Sequence, residues 1–136
     1  VAAMNTFLLK IATPDGMLFE GNVQRVVCRT ITGDLAVMAR HANMCTALGM
    51  GGAHVVLEDG SVKNATCIGG MLSVLNGECS LFATTWEWDE DIDFERAELA
   101  KKEAEEILKN KSLSEQEYVV ARAKLKRALV RLSARR

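Results

Sequence analysis

The chain of 136 residues has no stretch of about 18 uninterrupted apolar residues, which is the length that a helix needs to cross a bilayer. Its N-terminus has no basic segment followed by an apolar one, so it does not look like a secretory signal. Its formal net charge is only -1, which gives no reason to expect nucleic acid or an anionic membrane surface as a partner. These absences predict a soluble, intracellular protein.

The histidines and cysteines do not have the spacing of a metal site. No C-x-x-C pair occurs, and neither His41 nor His54 lies near a cysteine at a recognised ligand spacing. We therefore expect no metal and four reduced, partly buried thiols, because free cysteine packs as a small hydrophobe. These thiols are Cys28, Cys45, Cys67 and Cys79. Serine, histidine and acidic residues are too scattered to suggest a catalytic triad, so we predict no catalytic residues.

Charge is unevenly distributed along the chain. Residues 1–86 contain five Lys or Arg and six Asp or Glu, whereas residues 87–136 contain twelve of each class. The first segment is rich in Val, Leu, Met, Thr, Cys and Gly, a composition that favours strands and turns. This change predicts two domains, a β-domain over residues 1–87 and a helical domain over residues 88–136.

Short apolar segments separated by turn pairs predict an antiparallel sandwich or barrel of seven or more strands. Asp59-Gly60 and Asn76-Gly77 are each flanked by apolar segments, and such pairs favour tight hairpins. We interpret Gly69-Gly70 as a β-bulge or a close backbone contact, and the glycine-rich segment 49–52 as a loop or bulge.

After Trp88 the apolar period changes to that of a helix. Asp93 is the predicted N-cap of a first helix, and Ser114 with Glu117 forms a capping box that begins a second. The expected apolar faces are Ala97, Ala100, Ala104 and Ile107 or Leu108 in the first helix, and Tyr118, Ala121, Leu125, Ala128 or Leu129, and Leu132 in the second. The short link predicts an antiparallel two-helix hairpin, which its alanine-rich faces make marginally stable.

Acidic and basic residues collect at opposite ends of this helical segment. Residues 87–96 contain six acids and one base, and residues 122–136 contain seven bases and no acid. One interpretation is that these charges stabilise the helix ends and form salt bridges across the hairpin.

A second interpretation is a ligand site. Arg96 and Arg127 lie at similar distances from the link, and Arg131 follows one turn beyond Arg127. Three guanidinium groups beside the carboxylates of Asp93 and Glu87 would suit a ligand that carries phosphate. The residues alone leave both interpretations open.

The order of motifs resembles the epsilon subunit of F-type ATP synthases over the whole chain from Met4 onward. Residues 13–21 (TPDGMLFEG) resemble the opening hairpin of that family, and residues 33–41 (GDLAVMARH) resemble its Gly-x-x-Gly-Ile-Leu-Pro-x-His segment. Residues 69–74 (GGMLSV) match its double-glycine strand. The resemblance implies a sandwich of about ten strands followed by a two-helix hairpin.

The helical segment carries the most specific part of the resemblance. Residues 92–97 (IDFERA) are similar to the I-D-x-x-R-A motif at which some bacterial members bind ATP between their two helices. Residues 127–132 (RALVRL) resemble the second half of that site, and Glu103 stands where some ATP-binding members have a basic residue. The resemblance implies ATP as a regulatory ligand, with no required cofactor. The implied ligand-binding positions are Glu87, Asp93, Arg96, Arg127 and Arg131.

The resemblance also implies a function without catalysis by this chain. The sandwich would bind the gamma subunit and the c-ring in the central stalk, at the cytoplasmic face of the cell membrane, and would meet the membrane only through the complex. The hairpin would be compact or would extend along gamma toward the alpha and beta subunits and oppose ATP hydrolysis there. Arg122, Lys126 and Arg127 would make the inhibitory contacts with acidic surfaces.

Two other functions are compatible with these residues. The first is a free-standing nucleotide sensor whose hairpin closes on ATP, which the convergence of arginines would equally explain. The second is a small enzyme that uses the acidic cluster or a cysteine, and only the presence of those residues motivates it.

Overall fold

The structure is a computed structural model that describes residues 5–135. Met4, where the family resemblance begins, and Arg136, the last of the seven basic residues near the C-terminus, lie outside the described residues. The chain divides into two compact units, of which the first ends at Asp89 and the second begins at Glu90.

The first unit contains six strands within the described residues. Strands β1 to β6 span Phe7–Thr13, Gly16–Thr30, Gly33–Met38, Met44–Leu57, Val62–Leu75 and Glu78–Trp88. They hydrogen bond in the order β1-β6-β5-β4-β2-β3, and β1 also pairs with β2. Five strands therefore close into a ring, and β3 is added beside β2. The predicted β-sandwich or barrel architecture is confirmed.

One pairing departs from the antiparallel arrangement that the turn signals predicted. Strand β1 is parallel to β6, whereas its other neighbour, β2, is antiparallel to it. The reason is geometric, because a closed ring with an odd number of strands cannot alternate direction all the way round. The ring of β1, β6, β5, β4 and β2 therefore requires one parallel pair.

The strand count is also lower than the expected ten, because predicted neighbours merge into long bent strands. The sequence predicts separate strands at 44–48 and 54–58, which fall largely within β4, and at 61–66 and 68–75, which fall largely within β5. The pairing passes from Leu48 with Gly70 to Met50 with Ile68, so the strands continue through the glycine positions. The glycine-rich segment 49–52 thus lies within β4 and is not a loop, but the register of β4 against β2 shifts across it, so the alternative prediction of a bulge is confirmed.

The double glycine in β5 is a close contact between backbones, as predicted. Gly69 has φ 68° and Gly70 has φ 123°, values that side chains disfavour. A Cβ atom on Gly70 would overlap the carbonyl oxygen of Phe82 and lie 2.8 Å from the Cα of Ala83. Glycine is required here because Gly70 is paired with Ala83 of the neighbouring strand β6, and the backbone of β6 occupies the space that a Cβ atom would need.

Inward-facing apolar side chains from all six strands form the core of the sandwich unit. Three of the four cysteines are buried in this unit, and all four are free thiols. Burial raises the pKa of Cys28 to about 11 and the pKa values of Cys67 and Cys79 to about 12. Cys45 is exposed, so the prediction of partly buried, reduced thiols is confirmed.

The second unit contains helix α1, Phe94–Leu108, and helix α2, Glu115–Leu132, and a short 3₁₀ turn at Asp89–Asp91 precedes them. Both predicted caps are present. The backbone N–H of Arg96 donates to Oδ1 of Asp93 at 3.0 Å, and the N–H of Glu117 donates to Oγ of Ser114 at 3.1 Å. Neither helix combines the length and the apolar character needed to span a bilayer, and no other helix in the described part of the chain does.

Alanines form the contact between the two helices. The buried residues are Ala97 and Ala104 in α1 and Ala121 and Ala128 in α2, which confirms four of the five alanines in the predicted faces, and the fifth, Ala100, is half-buried. Tyr118, predicted in the same face of α2, is 46% exposed instead. It lies in the first turn of α2, opposite the position where α1 has already ended, so no turn of α1 covers it.

Candidate functional site

An ion pair between the helices shows the register of the hairpin. Nζ of Lys124 in α2 lies 2.7 Å from Oε2 of Glu103 in α1. Arg96 precedes Glu103 by seven residues in α1, and Arg131 follows Lys124 by seven residues in α2. Both lie toward the end of the hairpin where α1 begins and α2 ends. Seven residues are close to two helical turns, so each arginine shares a helix face with its member of the ion pair. In an antiparallel hairpin this puts Arg96 and Arg131 level with each other on one side.

Arg127 lies on the same side of the hairpin, closer to the link. It follows Lys124 by three residues, which keeps it near the same face of α2, and its level corresponds to Ala100 in α1. Arg131 rather than Arg127 is therefore level with Arg96, and Arg127 is offset by four residues, or about 6 Å along the axis. We call the side that carries these three arginines the arginine flank.

The three arginines differ in exposure. Arg96 is exposed, whereas Arg127 and Arg131 are half-buried, so the aliphatic parts of the last two are held against the hairpin. An arginine whose aliphatic part is held in this way has fewer rotamers to lose when its guanidinium binds an anion. Two positioned groups on α2 and one on α1 can therefore contact the same phosphate-bearing ligand.

Asp93 holds the start of α1 in place. Its Oδ1 accepts from the backbone N–H of Arg96, so the carboxylate determines where the helix begins and where Arg96 stands. Its negative charge also complements the positive end of the helix dipole. Asp93 thus has a structural role, and it lies one turn from a guanidinium of the arginine flank.

The structure adds one cation that the sequence analysis did not identify. The guanidinium of Arg135 lies 5.0 Å from the ring centroid of Phe94, a cation–π contact between the last described residue and the first residue of α1. An aromatic residue directly after the N-cap and a basic C-terminus were the signals available for this contact. The pair confirms that the second helix returns to the start of the first.

The remaining predicted residues lie elsewhere. Glu87 is half-buried on β6 of the sandwich unit, where it is opposite Thr66 of β5. Arg122 and Lys126 are exposed on α2. Arg122 points away from the arginine flank, because five residues separate it from Arg127 and nine separate it from Arg131, which is about half a turn in each case. Lys126 directly precedes Arg127 and is therefore about 100° from it around the helix axis. The proposed inhibitory residues thus occupy two faces of α2.

No three His, Cys, Asp or Glu side chains are grouped for metal binding anywhere in residues 5–135. The exposed ion pairs of the hairpin are instead between side chains of opposite charge. Glu98 with Lys101 and Glu106 with Lys109 are pairs within α1, and Glu103 with Lys124 joins the two helices. Glu103 lies outside the acidic segment 87–96, so this pair is not the salt bridge between the two charged segments that the first interpretation predicted.

Comparison with known proteins finds one family for both units. Residues 6–89 match the family model of the ATP synthase delta/epsilon chain, β-sandwich domain, and residues 90–135 match that of its long α-helix domain. The ATP synthase epsilon chain of Caldanaerobacter subterraneus is 38% identical over 127 residues, which cover 93% of this chain and 91% of the relative. That of Caldicellulosiruptor bescii is 39% identical over 129 residues, which cover 95% and 93%.

A solved structure supports the same fold. A chain in the mitochondrial ATP synthase of Euglena gracilis, from a structure of OSCP, F1 and the c-ring, superposes with a TM-score of 0.83 at 23% identity. The match covers 95% of this chain and 81% of that one. The family resemblance noted from the motifs is confirmed, which argues against a small enzyme or a free-standing sensor. The chain belongs to the delta/epsilon family of ATP synthase and is a non-catalytic subunit of that complex.

Proposed function

We propose that this subunit belongs to the rotor of an F-type ATP synthase, with its sandwich unit bound to the gamma subunit and the c-ring and its hairpin regulating ATP hydrolysis. The agreement of both units with one family, and a fold neighbour from an F1 and c-ring assembly, support the rotor assignment. In this role the chain is peripheral to the cytoplasmic face of the cell membrane and takes part in ATP synthesis and ion transport through the complex.

The regulatory ligand of the proposal is ATP, bound at the arginine flank. The observation that carries it is the 2.7 Å ion pair between Glu103 and Lys124, because the register that this contact reveals aligns Arg96 with Arg131. Phosphate oxygens would accept hydrogen bonds from guanidinium groups of both helices. Asp93 keeps Arg96 in position, and Glu87 is the further carboxylate that the family resemblance assigns to the ligand.

ATP would act on an equilibrium between a compact and an extended hairpin. The buried contacts between the helices are made by alanines, which contribute little apolar area to the stability of the compact hairpin. A ligand that bridges both helices therefore adds a large fraction of the free energy that favours the compact form. It favours the compact form by no more than its difference in affinity for the two forms. In the extended form the exposed Arg122 and Lys126 would attract acidic surfaces of the alpha and beta subunits.

Calorimetry with ATP tests the ligand site. In the full chain, Arg127→Ala should weaken ATP binding at least about tenfold, because a charge-assisted contact to phosphate is lost. Arg122→Ala is the matched control, since it removes the same group from the exposed face of α2 that points away from the arginine flank. Equal affinities for the two variants would rule out binding of ATP at the arginine flank.

Hydrolysis by the cognate catalytic complex tests the regulation. Reconstitution with a chain truncated after Trp88 should raise ATP hydrolysis above the rate seen with the full chain, because the inhibitory helices are absent. Replacement of both Arg122 and Lys126 by alanine should release part of the same activity. Unchanged hydrolysis after truncation would refute the regulatory role but leave the rotor role of the sandwich unit intact.

A further inference from the structure

The ion pair between Glu103 and Lys124 lies directly beside the proposed ATP site. Lys124 precedes Arg127 by three residues and Arg131 by seven, so the three cations follow one another along one side of α2. Neighbours at this spacing have Cβ atoms about 5–6 Å apart, a distance that a lysine side chain spans. A fourth cation is therefore available to the arginine flank, but its ammonium group is bound to Oε2 of Glu103.

Glu103 occupies the corresponding place on α1. It follows Arg96 by seven residues, so the two share one face of α1, and its side chain lies opposite Lys124 of α2. Its carboxylate has two effects on an anion that approaches the arginines. It neutralises Lys124, and it repels the anion directly, since the two would be separated by less than a Debye length.

The ion pair is also accessible enough to exchange partners. The side chains of Lys124 and Glu103 are 38% and 52% exposed, so water can solvate either group when the pair separates. Exposed pairs of this kind contribute little net stability. Lys124 can therefore leave Glu103 without a large penalty to the hairpin and turn toward Arg127.

We propose that Glu103 determines the affinity of the arginine flank for nucleoside triphosphates by holding Lys124 away from the ligand. When the negative charge at this position is absent, Lys124 becomes an additional ligand of the phosphate chain. The inference rests on the proposed ATP site, and it makes Glu103 and Lys124 affinity-determining residues of that site.

Calorimetry of the full chain with ATP, in the absence of divalent cations, tests this proposal. Glu103→Gln should bind ATP about tenfold more tightly than the unmodified chain, as expected for one new charge-assisted contact. Lys124→Gln alone should lower the affinity by less than about threefold, because Lys124 is paired and does not contact the ligand, and only the repulsion by the unpaired Glu103 is added. The double variant, Glu103→Gln with Lys124→Gln, should lose most of the tenfold gain.

Glu98→Gln is the matched control for the loss of one negative charge. Glu98 pairs with Lys101 within α1, and helical geometry puts it on the side of the hairpin away from Glu103. Its replacement should leave ATP affinity nearly unchanged. The thermal transition of each variant, followed by ellipticity at 222 nm, separates an effect on the ligand from a loss of helix.

Several outcomes would overturn the proposal. An increase in ATP affinity for Glu103→Gln that is no larger than the increase for Glu98→Gln would exclude a specific effect of the Glu103 carboxylate. A gain that persists in the double variant would exclude Lys124 as a ligand. If Arg127→Ala abolishes ATP binding while Glu103→Gln has no effect, only this inference fails, whereas ATP binding by none of these forms would refute the ATP site itself.

Discussion

Gly70 is a position at which the sandwich unit tolerates no side chain. It combines φ 123° with a backbone contact to Phe82 and Ala83 that leaves no space for a Cβ atom. Gly70→Ala should lower the free energy of unfolding by about 3 kcal/mol or more, because the backbone must move as well as adopt a disfavoured dihedral. Denaturant unfolding followed by tryptophan fluorescence measures the change.

Gly52→Ala provides the comparison for this prediction. Gly52 lies in β4, outside the positive φ region, and nothing lies within 4 Å of the position where its Cβ atom would be. Its replacement should change the free energy of unfolding by no more than about 0.5 kcal/mol. Equal effects of the two substitutions would show that the close approach of β6 does not constrain Gly70.

The buried thiols should make the sandwich less stable as the pH rises into the alkaline range. Burial raises the pKa values of Cys28, Cys67 and Cys79 above the ordinary value of 9.0. Above pH 9 these thiols ionise in the unfolded chain first, so the unfolded state binds fewer protons and the free energy of unfolding falls as pH rises. Below pH 9 the contribution is fully present.

The expected decrease approaches about 1.4 kcal/mol per pH unit for each buried thiol between its unfolded and folded pKa. Urea unfolding between pH 8 and pH 10.5 measures the slope. Cys67→Ala should reduce this slope, whereas Cys45→Ala, which removes an exposed thiol, should not. A slope that is unaffected by Cys67→Ala would mean that other groups cause the alkaline loss.

The helical hairpin depends on small side chains where its helices meet. Ala104 is 0% exposed, so Ala104→Leu would add three carbon atoms to a contact that has no room for them. Overpacking of this kind should destabilise the closed hairpin by about 1–3 kcal/mol. The helical transition at 222 nm should move to lower temperature, and ATP affinity should fall if the ligand requires the closed form.

Lys102→Leu is the control for this substitution. Lys102 is exposed on α1, so leucine there changes hydrophobicity and helix propensity but not the packing between helices. It should leave the transition nearly unchanged. If Ala104→Leu instead raises the melting temperature of the hairpin, the contact between the helices has unfilled space.

The helices and strands differ in how well the sequence predicted them. Asp93 and Ser114 were predicted as caps because each makes its bond to a backbone N–H three residues away, a contact that depends only on local sequence. The merging of predicted strands in β4 and β5 was not foreseen. Whether a strand ends or bends at Gly49 and Gly69 depends on whether a distant partner continues the hydrogen bonding.

In the whole molecule the two units should unfold separately. The sandwich has its own core, and both tryptophans, Trp86 and Trp88, belong to it, so tryptophan fluorescence reports on this unit. A chain truncated after Asp89 should keep a cooperative fluorescence transition with a midpoint close to that of the full chain. A peptide of residues 90–136 should be less helical than the same segment in the full chain, because its alanine contacts bury little area.

Comparison of the two signals in the full chain provides the check. Ellipticity at 222 nm, which the helices dominate, should decrease at lower denaturant concentration than fluorescence does. If the truncated chain shows no cooperative transition, the sandwich requires the hairpin in order to fold, and the division into independent units is refuted.

The family, the caps, the tight turns and the division of charge were evident from the sequence alone, because each depends on residues that are close together in the chain. The parallel pairing of β1 with β6 and the alignment of Arg96 with Arg131 depend on the tertiary structure. The first follows from closing a ring of five strands, and the second from the packing of the helices through their buried alanines, with which the ion pair between Glu103 and Lys124 agrees. Both join residues far apart in the chain, so only the packing of the folded molecule decides them.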